Sequence, residues 1–204
     1  MDDIRNTLCL RGTVVGEPVY SHENHGQEFC RFPISVCRLS GQEDILPVIS
    51  TQAQLAHLLP LTGKRLLVEG QLRSFNNRSG SGSKLVISVF PRILVPTQDD
   101  DANTVQLTGV ICKPPVLRRT PLGRCICDMM LAVNRRYGRA DYLPCIAWGQ
   151  IAMLTGDMAV GDTISVEGRV QSRIYSKVVD GIAVERTAYE VSIMHLLEQN
   201  SAAE

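Results

Sequence analysis

From Thr163 to Tyr175 polar and apolar residues alternate almost without a break, which is the period of a β-strand with one face buried. That pattern turns Ile164, Val166, Val170 and Ile174 inward and presents Arg169, Gln171, Arg173 and Tyr175 to solvent. Apolar runs over 129–133 and 142–148 predict two more strands, and 187–194 predicts another after a hairpin around Asp180-Gly181. Only the stretch from Gln150 to Met158 has room for a helix. The same patterning occurs a second time, earlier in the chain. Leu8-Cys9-Leu10-Arg11-Gly12 returns as Val105-Gln106-Leu107-Thr108-Gly109, a shift of 97 positions. That shift also carries Pro18 onto Pro115, Gly26 onto Gly123, Val36 onto Val133, Arg38 onto Arg135 and Pro47 onto Pro144. One further residue of shift aligns Val68-Glu69-Gly70 with Val166-Glu167-Gly168.

A repeat of this length is a whole domain, so the chain reads as two tandem copies of one small fold. Five strands and one short helix per copy are the parts of an OB-fold, a small closed barrel, and Gly168 in mid-strand suits the sharp bend such a barrel needs. The expected architecture is mainly β: two tandem five-stranded OB barrels, each with one short helix. The boundaries are a divergent barrel over 1–98, an acidic linker over 99–103, a second barrel over 104–197 and a short tail over 198–204.

Net charge is zero, with 21 Lys and Arg against 21 Asp and Glu, but its distribution is uneven. Residues 1–98 carry 10 basic against 8 acidic groups and residues 102–197 carry 11 against 8, so both copies are mildly basic and the excess acid sits in Asp99-Asp100-Asp101 and the tail. This is compatible with a phosphate-bearing partner. The acidic run is read as a solvated linker. The seven cysteines form neither a disulfide framework nor paired CxxC zinc spacing, and are read as reduced, structural thiols. Histidines 22, 25, 57 and 195 show no partnered spacing, and there is no phosphate loop or nucleophile elbow. An enzyme is not expected, nor a cofactor or metal. The absence of a long apolar window and the acidic start Met1-Asp2-Asp3 place the chain in the cytoplasm, with no membrane partner.

Arg119-Thr120-Pro121-Leu122-Gly123, Leu131-Ala132-Val133-Asn134-Arg135, Ala147-Trp148-Gly149-Gln150 and Val166-Glu167-Gly168-Arg169-Val170, in that order and spacing, resemble the bacterial single-stranded DNA-binding proteins. The match covers nearly all of the second copy; the first keeps the frame and has diverged between its motifs. The turn reading of Thr120-Pro121-Leu122-Gly123, with Pro and Gly setting its dihedrals, holds whatever the function. The resemblance implies sequence-tolerant binding and protection of single-stranded DNA in replication, recombination or repair. Two alternatives remain open: a primosome-type protein-binding adaptor of the same fold, and a binder of single-stranded RNA.

Single strands are held by rings that stack on bases beside cations that track phosphates. The family's stacking positions fall here on Tyr137, Tyr142, Trp148 and Tyr175, four of only ten aromatic residues in the chain. Arg118, Arg119 and Arg124 flank the hairpin at Thr120–Gly123, Arg135, Arg136 and Arg139 surround Tyr137, and Arg169 and Arg173 share a face with Tyr175. The bland alternative for each ring is barrel packing, and Trp148 in particular could seal the barrel mouth. Subtracting the repeat shift gives Ser40, Ile45, Thr51 and Asn77, so the first copy lacks all four rings; it keeps Arg38, Arg65, Arg73, an outward Phe75 and a Gly/Ser-rich hairpin over 76–84. It is therefore expected to serve assembly and electrostatic guidance. In the family four barrels gather, so two per chain imply a homodimer. The family's acidic and aromatic C-terminal tip is missing from Leu197 to Glu204, which puts recruitment of replication enzymes in doubt.

Overall fold

The computed structural model of the chain describes residues 5–77, 84–179 and 181–198. Most of the predicted tail, the centre of the predicted 76–84 hairpin and Asp180 lie outside them.

The first copy is built from β1 (Asn6–Val14), β2 (Val19–Asn24), β3 (Gln27–Cys37), β4 (Glu43–Thr51), α1 (Gln52–Leu55), β5 (Arg65–Asn76) and β6 (Leu85–Pro96). The second repeats the order with β7 (Ala102–Ile111), β8 (Val116–Arg119), β9 (Cys125–Asn134), β10 (Ala140–Trp148), α2 (Gly149–Gly156), β11 (Thr163–Val179) and β12 (Ile182–Leu197). In the first copy β1 pairs with both β5 and β3, β3 pairs with β4, β4 runs parallel to β6, and β6 pairs with β5. That circuit closes a five-stranded barrel and leaves no free edge within it. The second copy closes the same way through β7, β9, β10, β12 and β11. Each copy also carries a short strand outside the ring, β2 on β3 and β8 on β9. Every residue of β2 and β8 is exposed, so neither has the one-sided burial by which a strand is read from sequence.

Glycines set where the strands can cross. A Cβ on Gly12 would stand 2.2 Å from the Ser35 carbonyl oxygen, and one on Gly70 would stand 2.1 Å from that of Phe90. Their repeat partners behave alike: Gly168 meets Ser192 O at 2.2 Å and Gly109 meets Ala132 O at 2.9 Å. Backbone passes over backbone at these points, so no side chain fits. Apolar residues from alternate positions fill each interior, among them Leu10, Phe32 and Leu66 in the first copy and Leu107, Leu131 and Val166 in the second, all fully buried. No helix among the described residues is long and apolar enough to cross a membrane.

The chain divides into two compact units whose limits differ from a cut at the linker. One comprises residues 7–104 together with 170–189; the other comprises 1–6, 105–169 and 190–204. The outer half of the β11–β12 hairpin thus packs with the first copy. Its anchor is Asp44, a carboxylate with no exposed surface. Arg38 Nε and Nη2 each donate to it at 2.6 Å, and the Ser172 backbone N–H and hydroxyl donate at 2.8 and 3.2 Å. Burial pushes the Asp44 carboxyl up, but these four hydrogen bonds outweigh it and hold the group below its usual range. The anchoring corrects two expectations for β11. Ile174, read as inward, is 69% exposed, and Gln171, read as solvent-facing, is 8% exposed. Beyond Gly168 the strand has left its own barrel, so the barrel no longer decides which face is inside.

The acidic linker, exposed at Asp99 and Asp100, is also tied down by hydrogen bonds. Arg11 pairs with Asp99 at 3.1 Å, Arg65 donates to Asp99 O at 2.6 Å and to Asp101 at 2.7 Å, and the Cys37 N–H donates to Asp101 at 2.6 Å. β7 begins directly afterwards at Ala102.

Candidate nucleic-acid interface

The outward face of β10 carries two of the expected rings. Tyr142 is 48% exposed and Trp148 is 40% exposed, and the buried residues Asp141, Leu143, Cys145 and Ala147 occupy the opposite parity. Trp148 ends the strand at the N-cap position of α2, opposite Ile126 on β9, which in turn lies opposite Arg118 on β8. Tyr142 lies opposite Ala132. The helix runs from Gly149 to Gly156, close to its predicted span.

Between β9 and β10 the chain closes a tight loop, with the Arg135 N–H donating to Arg139 O at 2.7 Å. Tyr137 sits at its tip with φ 64° and its side chain 96% exposed. A tyrosine in the left-handed region is strained, and the arrangement places the ring in solvent between Arg136 and Arg139, both exposed. Arg135 is different. Its guanidinium is bidentate to Asp141, whose side chain has no exposed surface, and this pair repeats Arg38–Asp44 at the same shift of 97. Arg135 therefore closes the loop, and the sequence motif that singled it out marks a structural ion pair.

The hairpin from β8 to β9 is made as expected. Thr120 N–H donates to Arg124 O at 2.9 Å, Gly123 N–H to Thr120 O at 2.8 Å, and Gly123 takes φ 78°. Arg119 and Arg124 are exposed on either side of it. Arg118 is tied to Asp128, at 2.6 and 3.3 Å, which reduces the charge it can offer an outside anion. Arg169 is half-buried with its Nε enclosed and unpartnered, a poorer position for phosphate contact than strand parity suggested.

Tyr175 and Arg173 belong to the other unit, on the hairpin half anchored by Asp44. The Arg173 guanidinium carbon lies 5.8 Å from the centre of the half-buried Tyr175 ring, within cation–π range. The structure thus gathers Tyr137, Tyr142, Trp148, Arg119, Arg124, Arg136 and Arg139 in one unit and Arg173 with Tyr175 in the other. In the first copy His22 stacks on Phe29, with ring centres 4.8 Å apart and planes 5° apart, and Phe29 lies 5.7 Å from Phe90. Comparing the copies position by position could not reveal this stack, because His22 and Phe29 align with Arg119 and Ile126. Among the described residues no group of three His, Cys, Asp or Glu side chains gathers to hold a metal.

Solved structures share this architecture. The single-stranded DNA-binding protein from Thermus aquaticus superposes with a TM-score of 0.75 over 98% of this chain and 95% of its own, at 23% identity, which is a likeness of fold. Sequence relatives are nearer. Single-stranded DNA-binding protein 2 of Listeria innocua is 33% identical over 109 residues, covering 50% of this chain and 68% of the relative. The corresponding protein of Enterococcus faecalis is 34% identical over 109 residues, covering 50% and 57%. The model of the single-strand binding protein family matches residues 102–197, the span that holds the β10 rings, the Tyr137 loop and the Arg119–Arg124 hairpin. Barrel, motifs and relatives agree: the chain belongs to the single-strand binding protein family.

Proposed function

We propose that the protein binds single-stranded DNA without strong sequence preference, chiefly through the second copy, and so shields exposed strands in replication, recombination or repair. One observation carries the reading: Tyr142 and Trp148 stand half-open on one outward face of β10, in a barrel that also exposes arginines at 119, 124, 136 and 139. A flat ring open on one side takes any base, at roughly 1–3 kcal/mol per base stacked, while guanidinium groups meet the phosphates. Tyr137 adds a third ring on a strained loop, and Tyr175 with Arg173 a further pair. In the assembled protein a homodimer presents four barrels.

Trp148 is the chain's one tryptophan and a built-in reporter. Titration with a dT oligomer quenches its emission, and matched duplex DNA does so at least tenfold less effectively. Equal quenching by both, or none, removes the reading. Affinity falls as salt rises, with a slope of roughly −0.7 per phosphate neutralised.

A further inference from the structure

We infer that the first copy has its own nucleobase platform, formed by His22 lying on Phe29, one strand away from where the second copy keeps its ring. This rests on the proposal that the protein binds single strands. Register makes the correspondence explicit. In the second copy the row across β8, β9 and β10 is Arg118, Ile126, Trp148. In the first copy the matching row across β2, β3 and β4 is His22, Phe29, Thr51. The ring missing from β4 is balanced by one present on β3, and His22 covers it.

Geometry gives the stack the form a base requires. His22 is exposed while Phe29 beneath it is 7% exposed, and their planes differ by 5°. Phe90 supports Phe29 from another side, and the Ser21 hydroxyl lies 3.0 Å from His22 Nδ1, so the imidazole is held by packing and by a hydrogen bond. A ring fixed in this way loses little freedom when a base settles on it. Charge orients the strand. Arg31, two positions along β3 from Phe29, is exposed and shares the platform's face, whereas the Glu23–Glu28 pair, one residue further toward the turn, lies on the opposite face. Phosphates are drawn toward Arg31, so the backbone passes on the Arg31 side while a base lies on His22. The first copy then contributes stacking as well as electrostatic guidance.

The test uses the full chain and a dT oligomer carrying 5-iodouracil at several positions, followed by ultraviolet crosslinking and mass mapping. A crosslink within residues 20–31 is expected, alongside crosslinks to the second copy. In anisotropy titrations with labelled dT, His22→Ala lowers affinity about fivefold or more with an unchanged salt slope, whereas His22→Phe stays within about twofold of wild type. His22 lies on an exposed strand outside the barrel, and thermal melts of both variants check that the fold is kept. Wild-type affinity for His22→Ala, or no crosslink within 20–31, overturns the inference. Trp148 quenching in the same titrations separates the two proposals, because it persists when only the His22 platform fails and vanishes when the DNA-binding reading itself fails.

Discussion

Replacing Asp44 by alanine removes a buried carboxylate and four hydrogen bonds at once. Arg38, whose side chain is 14% exposed, loses the carboxylate that faces its guanidinium in a bidentate pair, and Ser172 loses the acceptor for both its N–H and its hydroxyl. Removing one partner of a buried ion pair costs about 3–5 kcal/mol, mostly for the stranded charge. For a chain of this size that corresponds to a melting temperature lower by roughly 6–20 °C. The double change Arg38→Met with Asp44→Leu strands no charge and costs less than Asp44→Ala alone. Acid acts on the same ion pair. The Asp44 pKa is lowered by folding, so its contribution is fully present above the ordinary aspartate value near 4 and disappears as pH falls through the depressed one. Stability curves of wild type and Asp44→Asn should therefore converge toward low pH. Calorimetry of the three variants between pH 3 and pH 7 measures all of this. An Asp44→Ala cost below about 1 kcal/mol, or a gap to Asp44→Asn that widens in acid, would mean that Asp44 does not act as a buried, ionised partner of Arg38.

Gly168→Ala should destabilise the second barrel more than Gly109→Ala, because the added carbon stands 2.2 Å from backbone oxygen in one case and 2.9 Å in the other; urea midpoints rank them. Tyr137→Asn should raise stability by up to about 1 kcal/mol, since asparagine tolerates the left-handed backbone better, while weakening dT binding; a gain in both would deny the ring a role. Changing Arg136 and Arg139 to alanine should flatten the salt dependence of binding by about 0.7 for each phosphate that is no longer neutralised, and Trp148→Ala should leave that slope unchanged. Sedimentation should return twice the mass of one chain; a single-chain mass excludes the dimer.

Local patterning carried much of the architecture. Alternation over 163–170 and the apolar runs of β9 and β10 determined which side chains face inward, because the inward positions of a barrel strand are filled mainly by apolar side chains. The repeated glycines and the repeated Arg38 and Arg135 were legible as a duplication, since backbone crossings and a buried ion pair tolerate few substitutes. The exposed rings Tyr142 and Trp148 were legible for the same reason, being the outward members of a strand whose other face is core.

What the sequence could not decide were the partners of groups far apart in the chain. That Asp44 holds Ser172, 128 residues away, is invisible to any local period, and with it the outward turn of Ile174 and the burial of Gln171. That Arg135 serves Asp141 rather than solvent, and that Asp99 and Asp101 are gripped by Arg11 and Arg65, depends on which charges the fold brings within about 3 Å of each other. The His22–Phe29 stack likewise exists only because β2 is hydrogen-bonded to β3 in one register. Periodicity reports the face of a strand, whereas the tertiary structure chooses what lies across from it.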